Sequence, residues 1–333
     1  MTPIIVIPVA ILSAAAKVLV AAAAKLNINF VKKNFVSSLV FGLLMGAGLS
    51  VMAQEVQEIQ SLKTHQNPLV FTPLPQENEA VTIARSLPLA KEMARVLGRE
   101  VKVKFYQSYS DIMEAFLKEE VDIVQLTPLN YIALDSTSAS FQHIAFIRSA
   151  KEQQDYRCVL VAPMDGIQNL TDLKRVEKPN VLLTQPFSTC GWVAADRFFR
   201  EAGLTLSEHA VHYKGGHDSL ALALLRNEGS VGCVADYIAE RFEGLGLSVL
   251  KEGAPSPMPA LVANSKKILP TALEALEAHL LTLPDETLNT LGLGRFGFVI
   301  FEQQQMDEFT EKVAEMNSGN RSLNTLTSLE VAP

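Results

Sequence analysis

The feature that most constrains the fold is a repeated alternation of short apolar segments with longer amphipathic patterns. Residues 68–73 predict a strand, and residues 77–97 have the apolar spacing of a helix, which ends at Gly98 as a C-cap. The alternation continues with a strand at 101–105, a helix at 111–118 capped by Ser110, a strand at 121–126, a helix beginning at Thr127-Pro128, and a strand at 141–147. This βαβαβαβ order is typical of a mostly parallel sheet with helices on both faces.

A second series of the same kind starts with the apolar segment 156–162. It predicts a short helix at 169–173, a strand–turn–helix stretch at 181–199, strands at 209–213, 231–235 and 247–250, and a helix at 219–226 after a turn at 214–218. A proline-rich link at 255–259 then leads to strands at 260–263 and 296–301 and to helices at 270–281 and 306–316.

Two such series predict an α/β protein made of two Rossmann-like lobes joined by two crossover strands. We expect residues 66–155 and 252–333 in lobe 1 and residues 156–251 in lobe 2. A cleft between lobes of this kind buries a small ligand from both sides and closes by a hinge motion.

The turn Ser188-Thr189-Cys190-Gly191 predicts an anion site, because it joins a strand to the start of a helix. The first N–H groups of a helix have no intrahelical partner, and the helix dipole places partial positive charge there. Ligands of parallel sheets also bind beyond the carboxyl ends of the strands. This rule places residues 72–75, 107–110 and 127–130 around one rim.

Residues 1–53 differ from the rest and predict export. Lys32-Lys33, an apolar run at 35–49, and the small residues Val51 and Ala53 form a secretory signal peptide, so we expect a mature start near Gln54 and a bacterial periplasmic location. The earlier apolar run 4–24 has the length of a transmembrane segment; the preferred alternative is a translation start at Val31.

Charge and cysteine content exclude several classes of function. The net charge is −7, and no basic stripe interleaved with aromatic residues is present, so nucleic acid is not an expected partner. The three cysteines have no metal-ligand spacing, and an odd number leaves at least one free thiol unless another chain supplies its mate. Cys158 and Cys233 lie in apolar strands, where a thiol behaves as a small buried hydrophobe. No metal or cofactor is expected.

Four segments carry a resemblance to a known family: VDIVQLTPLNYIAL at 121–134, RCVLVAPMDGIQNLTDL at 157–173, FSTCGW at 187–192 and YKGGHDSLALALL at 213–225. In this order they resemble the periplasmic phosphate-, phosphite- and phosphonate-binding proteins of ABC importers. The resemblance covers roughly residues 66–300 and implies the type II periplasmic-binding-protein fold. It implies a small phosphorus oxyanion as ligand and an ABC permease at the inner membrane as partner.

The resemblance also implies a set of ligand-binding residues: Ser188, Thr189, the backbone amide of Cys190, His217, Tyr109, Tyr156, Thr127 and Asp236. Two positions depart from the family pattern. Cys190 replaces a serine, which leaves a weak S–H donor in place of a hydroxyl. Met258 lies near the position where relatives that bind aminophosphonates carry an acid, so phosphate, phosphite or a small alkylphosphonate is the expected ligand.

Other interpretations compete with this one. Ser188, Thr127 and Asp236 also fit simple helix caps, and the two tyrosines fit packing roles. Cys190, His217 and Asp236 could be combined into a catalytic triad, but no nucleophile signature accompanies them, and a thiolate at the helix N-terminus would repel an anion. We therefore expect no enzymatic activity. A periplasmic partner of a membrane sensor kinase remains the alternative to an importer component.

Overall fold

The computed structural model of the chain describes residues 67–317 except positions 136, 138, 139 and 178. The predicted signal peptide and the apolar run before it lie outside the described residues. Among the helices that are described, none combines the length and the apolar character needed to cross a membrane. All described residues belong to one compact unit, Gln66–Pro333.

The first lobe is a mixed sheet with its helices. Its elements are β1 (Leu69–Thr72), α1 (Glu79–Leu97), β2 (Val101–Val103), α2 (Tyr109–Leu117), β3 (Ile123–Leu126), α3 (Pro128–Asp135), β4 (Phe141–Ile147), and, from the end of the chain, β10 (Ala260–Asn264), α7 (Pro270–Leu281), α8 (Asp285–Leu288), β11 (Phe298–Val299) and α9 (Gln303–Asn317). The strand order is β11-β4-β10-β3-β1-β2. β1 is parallel to β2 and β3, whereas β10 is antiparallel to both β3 and β4.

The second lobe contains β5 (Asp155–Pro163), a 3₁₀ helix (Leu170–Arg175), β6 (Asn180–Leu183), a π-helical turn (Thr189–Ala194), α4 (Ala195–Glu201), a 3₁₀ turn (Leu206–Glu208), β7 (Ala210–Tyr213), α5 (His217–Leu225), β8 (Val231–Ala235), α6 (Asp236–Glu243) and β9 (Leu247–Pro257). The strand order is β7-β6-β8-β5-β9. β6 is parallel to β7 and β8, whereas β5 runs antiparallel to β8 and β9.

The chain passes between the lobes along β5 and β9, which pair with each other from Asp155↔Pro257 to Pro163↔Leu247. The prediction that residues 255–259 form a proline-rich link is therefore wrong in part, because Pro255, Ser256 and Pro257 belong to β9. Proline is tolerated there because β9 is an edge strand, where a missing N–H breaks no inner ladder.

Local signals explain the helix boundaries near the cleft, with two corrections. Ser108, not Ser110, caps α2: its Oγ accepts the N–H of Asp111 at 3.1 Å. α5 begins at His217, so His217 lies in the first turn of a helix and not in the predicted preceding turn. Gly98 ends α1 in the left-handed conformation (φ 63°), and its N–H donates to the carbonyl of Ala94, as predicted.

The hydrophobic core continues from one lobe into the other. One cluster joins Phe116 and Leu126 of the first lobe to Leu160 and Phe198 of the second, and Met258 lies fully buried within it. A separate cluster on the other face of the first sheet includes Phe71 and Met93. The two lobes therefore share apolar contacts in this structure.

Candidate binding cleft

The turn after β6 has the geometry of a helix N-terminus that approaches a strand end closely. The Ser188 Oγ accepts the N–H of Gly191 at 3.0 Å and so caps the π-helical turn. A Cβ on Gly191 would lie 2.0 Å from Oγ1 of Thr184, so only glycine fits there. The N–H groups of Thr189 and Cys190 occupy the first turn, where no intrahelical acceptor exists.

This turn contacts the N-terminus of α3 across the cleft. Oγ1 of Thr189 accepts the N–H of Leu129 at 3.3 Å, and Nδ2 of Asn130 donates to the carbonyl of Phe187 at 3.3 Å. Two helix N-termini, one from each lobe, therefore face each other. Their partial positive charges add, which favours an anion between them.

Thr127 occupies the start of α3, as predicted, but its hydroxyl has local partners. Oγ1 accepts the N–H of Asn130 at 3.2 Å and donates to Oδ1 of the same residue at 2.9 Å. These bonds make Thr127 a helix-capping residue. Its role toward a ligand stays a prediction.

Three tyrosines meet beside Thr189. Tyr109 and Tyr156 are the predicted pair and are buried, whereas Tyr237 was not predicted; its ring centroid lies 6.4 Å from that of Tyr156. Burial raises the pKa of all three hydroxyls, and it outweighs the hydroxyls of Thr189 and Ser256, which lower the pKa of Tyr156. The phenols stay protonated at neutral pH and can donate to an anion without carrying charge.

His217 has a defined tautomer. Its Nδ1 accepts the backbone N–H of Ala235 at 3.2 Å, so in the neutral ring the proton lies on Nε2. Burial, together with the nearby Arg241, lowers the pKa of His217 to about 4. The ring is therefore a neutral Nε2–H donor over the physiological pH range.

Asp236 has a backbone role at the start of α6. Its Oδ2 accepts the N–H of Arg157 at 3.0 Å and its Oδ1 accepts the N–H of Tyr237 at 2.8 Å, while burial raises its pKa. These bonds hold the Asp236 carboxylate against the backbone of Arg157, which follows Tyr156, and against the backbone of Tyr237. A carboxylate in this position would also repel an anion, so direct ligand contact by Asp236 stays a prediction.

The expectation that Cys190 carries a weak S–H donor is wrong, and so is the expectation that Cys158 is a buried free thiol. The two residues form a disulfide with Cα atoms 5.1 Å apart. The sulfur of Cys190 therefore has no proton to donate, and only its backbone amide remains as a donor. Cys233 is free and buried, as expected.

Gln185, like Tyr237, was not predicted from the sequence. It is buried, its Oε1 accepts the N–H of Tyr109 at 3.0 Å, and its Nε2 donates to the carbonyl of Gly215 at 2.8 Å. One amide thus connects the N-terminus of α2 in the first lobe to the segment before α5 in the second. Its position just beyond the carboxyl end of β6 is the sequence signal that could have identified it as a site residue.

A cavity of about 360 Å³ lies between the lobes. Of the predicted residues His217 lines it, together with Tyr237 and side chains of both lobes such as Gln125, Arg148 and Arg241. Tyr109, Tyr156 and Thr189 are buried and are not among the residues that line it. In the part of the chain that the structure describes, no three His, Cys, Asp or Glu side chains converge as metal ligands.

Known proteins resemble this chain in sequence and in fold. A family model described as the periplasmic substrate-binding protein of phosphonate ABC transporters matches residues 71–309. A phosphate-import protein, PhnD, of Mycolicibacterium smegmatis is 23% identical over 182 residues, which are 52% of this chain. The matched part is 56% of that relative, so the chain spans little more than half of its length.

Two solved structures share the fold. PhnD1 of Prochlorococcus marinus, in complex with methylphosphonate, superposes with a TM-score of 0.64 at 17% identity, over 75% of this chain and 98% of that one. The binding component of an ABC phosphonate transporter of Pseudomonas aeruginosa gives 0.62 at 17% identity, over 77% and 90%. At such identity the likeness concerns the fold, and it confirms the two-lobed type II periplasmic-binding-protein architecture.

Proposed function

Because the chain belongs to the phosphonate-binding family of periplasmic substrate-binding proteins of ABC transporters, we propose that it captures a small phosphorus oxyanion between its lobes and delivers it to an importer. Phosphate, phosphite and small phosphonates are the ligands in question. The chain acts by binding and release, without chemistry.

The observation that supports this proposal is a set of uncharged donors at the interface between the lobes: a hydroxyl and amide group around Thr189 and the ring of His217 on the cavity wall. The hydroxyls of Tyr109 and Tyr156, the first amides of the π-helical turn and Nε2 of His217 donate hydrogen bonds and bring no counter-charge that water must otherwise solvate. Such donors suit an oxyanion in a chain whose own net charge is −7. Each hydrogen bond to a charged ligand contributes roughly 1.5–3 kcal/mol.

The expected affinity follows from the number of these bonds. Four or five of them together exceed the cost of association by several kcal/mol, so a Kd on the order of micromolar or below is expected. The ligand stabilises the closed state because it accepts hydrogen bonds from donors of both lobes. We place the lobe boundaries at 66–155 with 252–333, and at 156–251, with β5 and β9 as the hinge strands.

The relatives support the choice of ligand class. The Mycolicibacterium relative is named for phosphate import, and the Prochlorococcus structure holds methylphosphonate. Met258 is apolar and fully buried beside this interface. An ammonium group of an aminophosphonate would lack a carboxylate there, so phosphate, phosphite or an alkylphosphonate fits better.

The proposal includes export of the protein to the periplasm through a signal peptide that is cleaved before Gln54. Intact-mass measurement of the exported protein tests it, with a mature N-terminus near Gln54 as the expected result. A mature N-terminus far from Gln54 would contradict this cleavage site.

Isothermal calorimetry with phosphate, phosphite, methylphosphonate and 2-aminoethylphosphonate tests the ligand class. We expect binding of at least one of the first three and weaker binding of the fourth. The double variant Thr189→Ala, His217→Ala should lose binding while its circular dichroism spectrum stays unchanged, and Thr189→Ser, which retains the hydroxyl, should bind. Absence of binding by all four compounds would overturn the proposal.

A further inference from the structure

The cavity between the lobes is larger than the proposed oxyanion requires. Its volume is about 360 Å³, within the range of about 300–1,000 Å³ that is usual for pockets holding organic ligands. A phosphate or methylphosphonate has five heavy atoms and fills the space of roughly two or three waters, each about 30 Å³ in the liquid. The remaining space adjoins His217 and can hold a substituent on the phosphorus atom.

The charged residues around this space leave an excess of cations. Arg85 pairs with Glu77 at 2.9 Å, and Arg241 pairs with Asp218. Among the described residues, Arg148 and Arg295 form no ion pair, and both line the cavity. Glu240 is the remaining carboxylate on the lining and is exposed to solvent.

Arg148 gives the more specific evidence. It follows β4 directly, and its backbone N–H donates to the carbonyl of Gly297 at 3.1 Å, which anchors the residue to the first lobe. Its Nε is buried and has no hydrogen-bond partner. A buried charged donor without an acceptor is unfavourable, and a carboxylate or phosphoryl oxygen is the strongest acceptor for a guanidinium.

Arg295 is the exposed one of the two arginines. Its guanidinium stands over the ring of Phe296, 5.0 Å from the centroid. Stacking of this kind limits the rotamers of a long exposed side chain and so lowers the entropy that ligand binding would cost.

We propose that the cleft selects phosphonates whose substituent carries a second negative charge, with Arg148 and Arg295 binding that second group. This inference rests on the proposed function, since the phosphonate group itself is assigned to the donors around Thr189 and His217. It also gives a second reason to expect weak binding of aminophosphonates, because the same two cations repel an ammonium group.

Calorimetry with three phosphonates of matched length tests the inference: 3-phosphonopropionate, propylphosphonate and 2-aminoethylphosphonate, with methylphosphonate as the reference for the shared group. We expect 3-phosphonopropionate to bind at least tenfold more tightly than propylphosphonate, and 2-aminoethylphosphonate to bind most weakly. The double variant Arg148→Gln, Arg295→Gln should reduce the affinity ratio of 3-phosphonopropionate to propylphosphonate to near one. The single variant Arg295→Gln should reduce this ratio in part. Arg175→Gln, which changes an exposed arginine on the second lobe, should retain the ratio.

The wild-type ligand series decides the inference even if a variant fails to fold. Equal binding of 3-phosphonopropionate and propylphosphonate would overturn it and leave the proposed function intact, provided that methylphosphonate binds. If methylphosphonate, phosphate and phosphite all fail to bind together with the other three compounds, the proposed function and this inference both fail.

Discussion

Cys158 of the crossing strand β5 is joined by a disulfide to Cys190 of the turn that carries Thr189. Both residues are at most 4% exposed, and they lie 32 positions apart in the chain. The bond ties the candidate anion turn to the strand that also carries Tyr156, two residues before Cys158. The two proposed donors, Tyr156 and Thr189, are thus tied to each other within one lobe by a covalent bond between their neighbours.

Removal of this disulfide should destabilise the protein. A loop of 32 residues corresponds to roughly 3–4 kcal/mol of lost chain entropy in the unfolded state, which is an upper value for the double variant Cys158→Ser, Cys190→Ser. Urea denaturation measures the loss. A reducing agent should lower the Tm of the wild type and leave that of the double variant unchanged, and three reactive thiols in the denatured, unreduced chain would contradict the pairing.

Gln185 should control closure, since one amide bonds a backbone group in each lobe. Gln185→Ala leaves the N–H of Tyr109 and the carbonyl of Gly215 without these partners, at about 1–3 kcal/mol for each group that stays buried. We expect ligand affinity to fall by about tenfold or more. Gln168→Ala is the matched control, because Gln168 is exposed and bonds carbonyls only within its own loop; equal affinities of the two variants would contradict this role.

Gly216 should be required for the closed state. A Cβ at this position would lie 2.1 Å from the carbonyl oxygen of Gln76 in the opposite lobe, although the backbone of Gly216 is extended (φ −140°) and tolerates any residue. Gly216→Ala should therefore leave each lobe folded and weaken ligand binding by preventing full closure. Small-angle scattering with saturating ligand should show a larger radius of gyration than for the wild type. Gly244→Ala, with nothing near its added Cβ, should behave as the wild type.

The pH dependence of stability should contain a contribution from His217. Burial, with Arg241 nearby, lowers its pKa from 6.5 to about 4. Between these values the unfolded chain binds more protons than the native one, so the contribution is complete above pH 6.5 and is lost as the pH falls toward 4. Urea unfolding at pH 7 and pH 4.5 should show a smaller loss of stability for His217→Asn, whose amide oxygen can accept the N–H of Ala235 without titrating. The same loss in both proteins would show that His217 does not titrate in this range.

Much of the candidate site could be predicted because its parts are local. The cap at Ser188, the start of α3 at Thr127-Pro128 and the strands that precede them depend on residues within one or two turns. The error at Ser110 has the same origin, since Ser108 and Ser110 are both acceptable caps and only the position of the helix in the fold distinguishes them. The family resemblance added His217 and the two tyrosines, which no local pattern would identify.

The sequence by itself determined the order of strands and helices and the presence of two α/β series, because hydrophobic periodicity and capping act over short distances along the chain. Only the tertiary structure decided that β10 enters the first sheet between β3 and β4, that Cys158 pairs with Cys190 and leaves Cys233 free, and that Gln185 connects the lobes. These features depend on which distant segments lie side by side. That choice is made by packing and loop closure over the whole chain, and it leaves no periodic signal in the sequence.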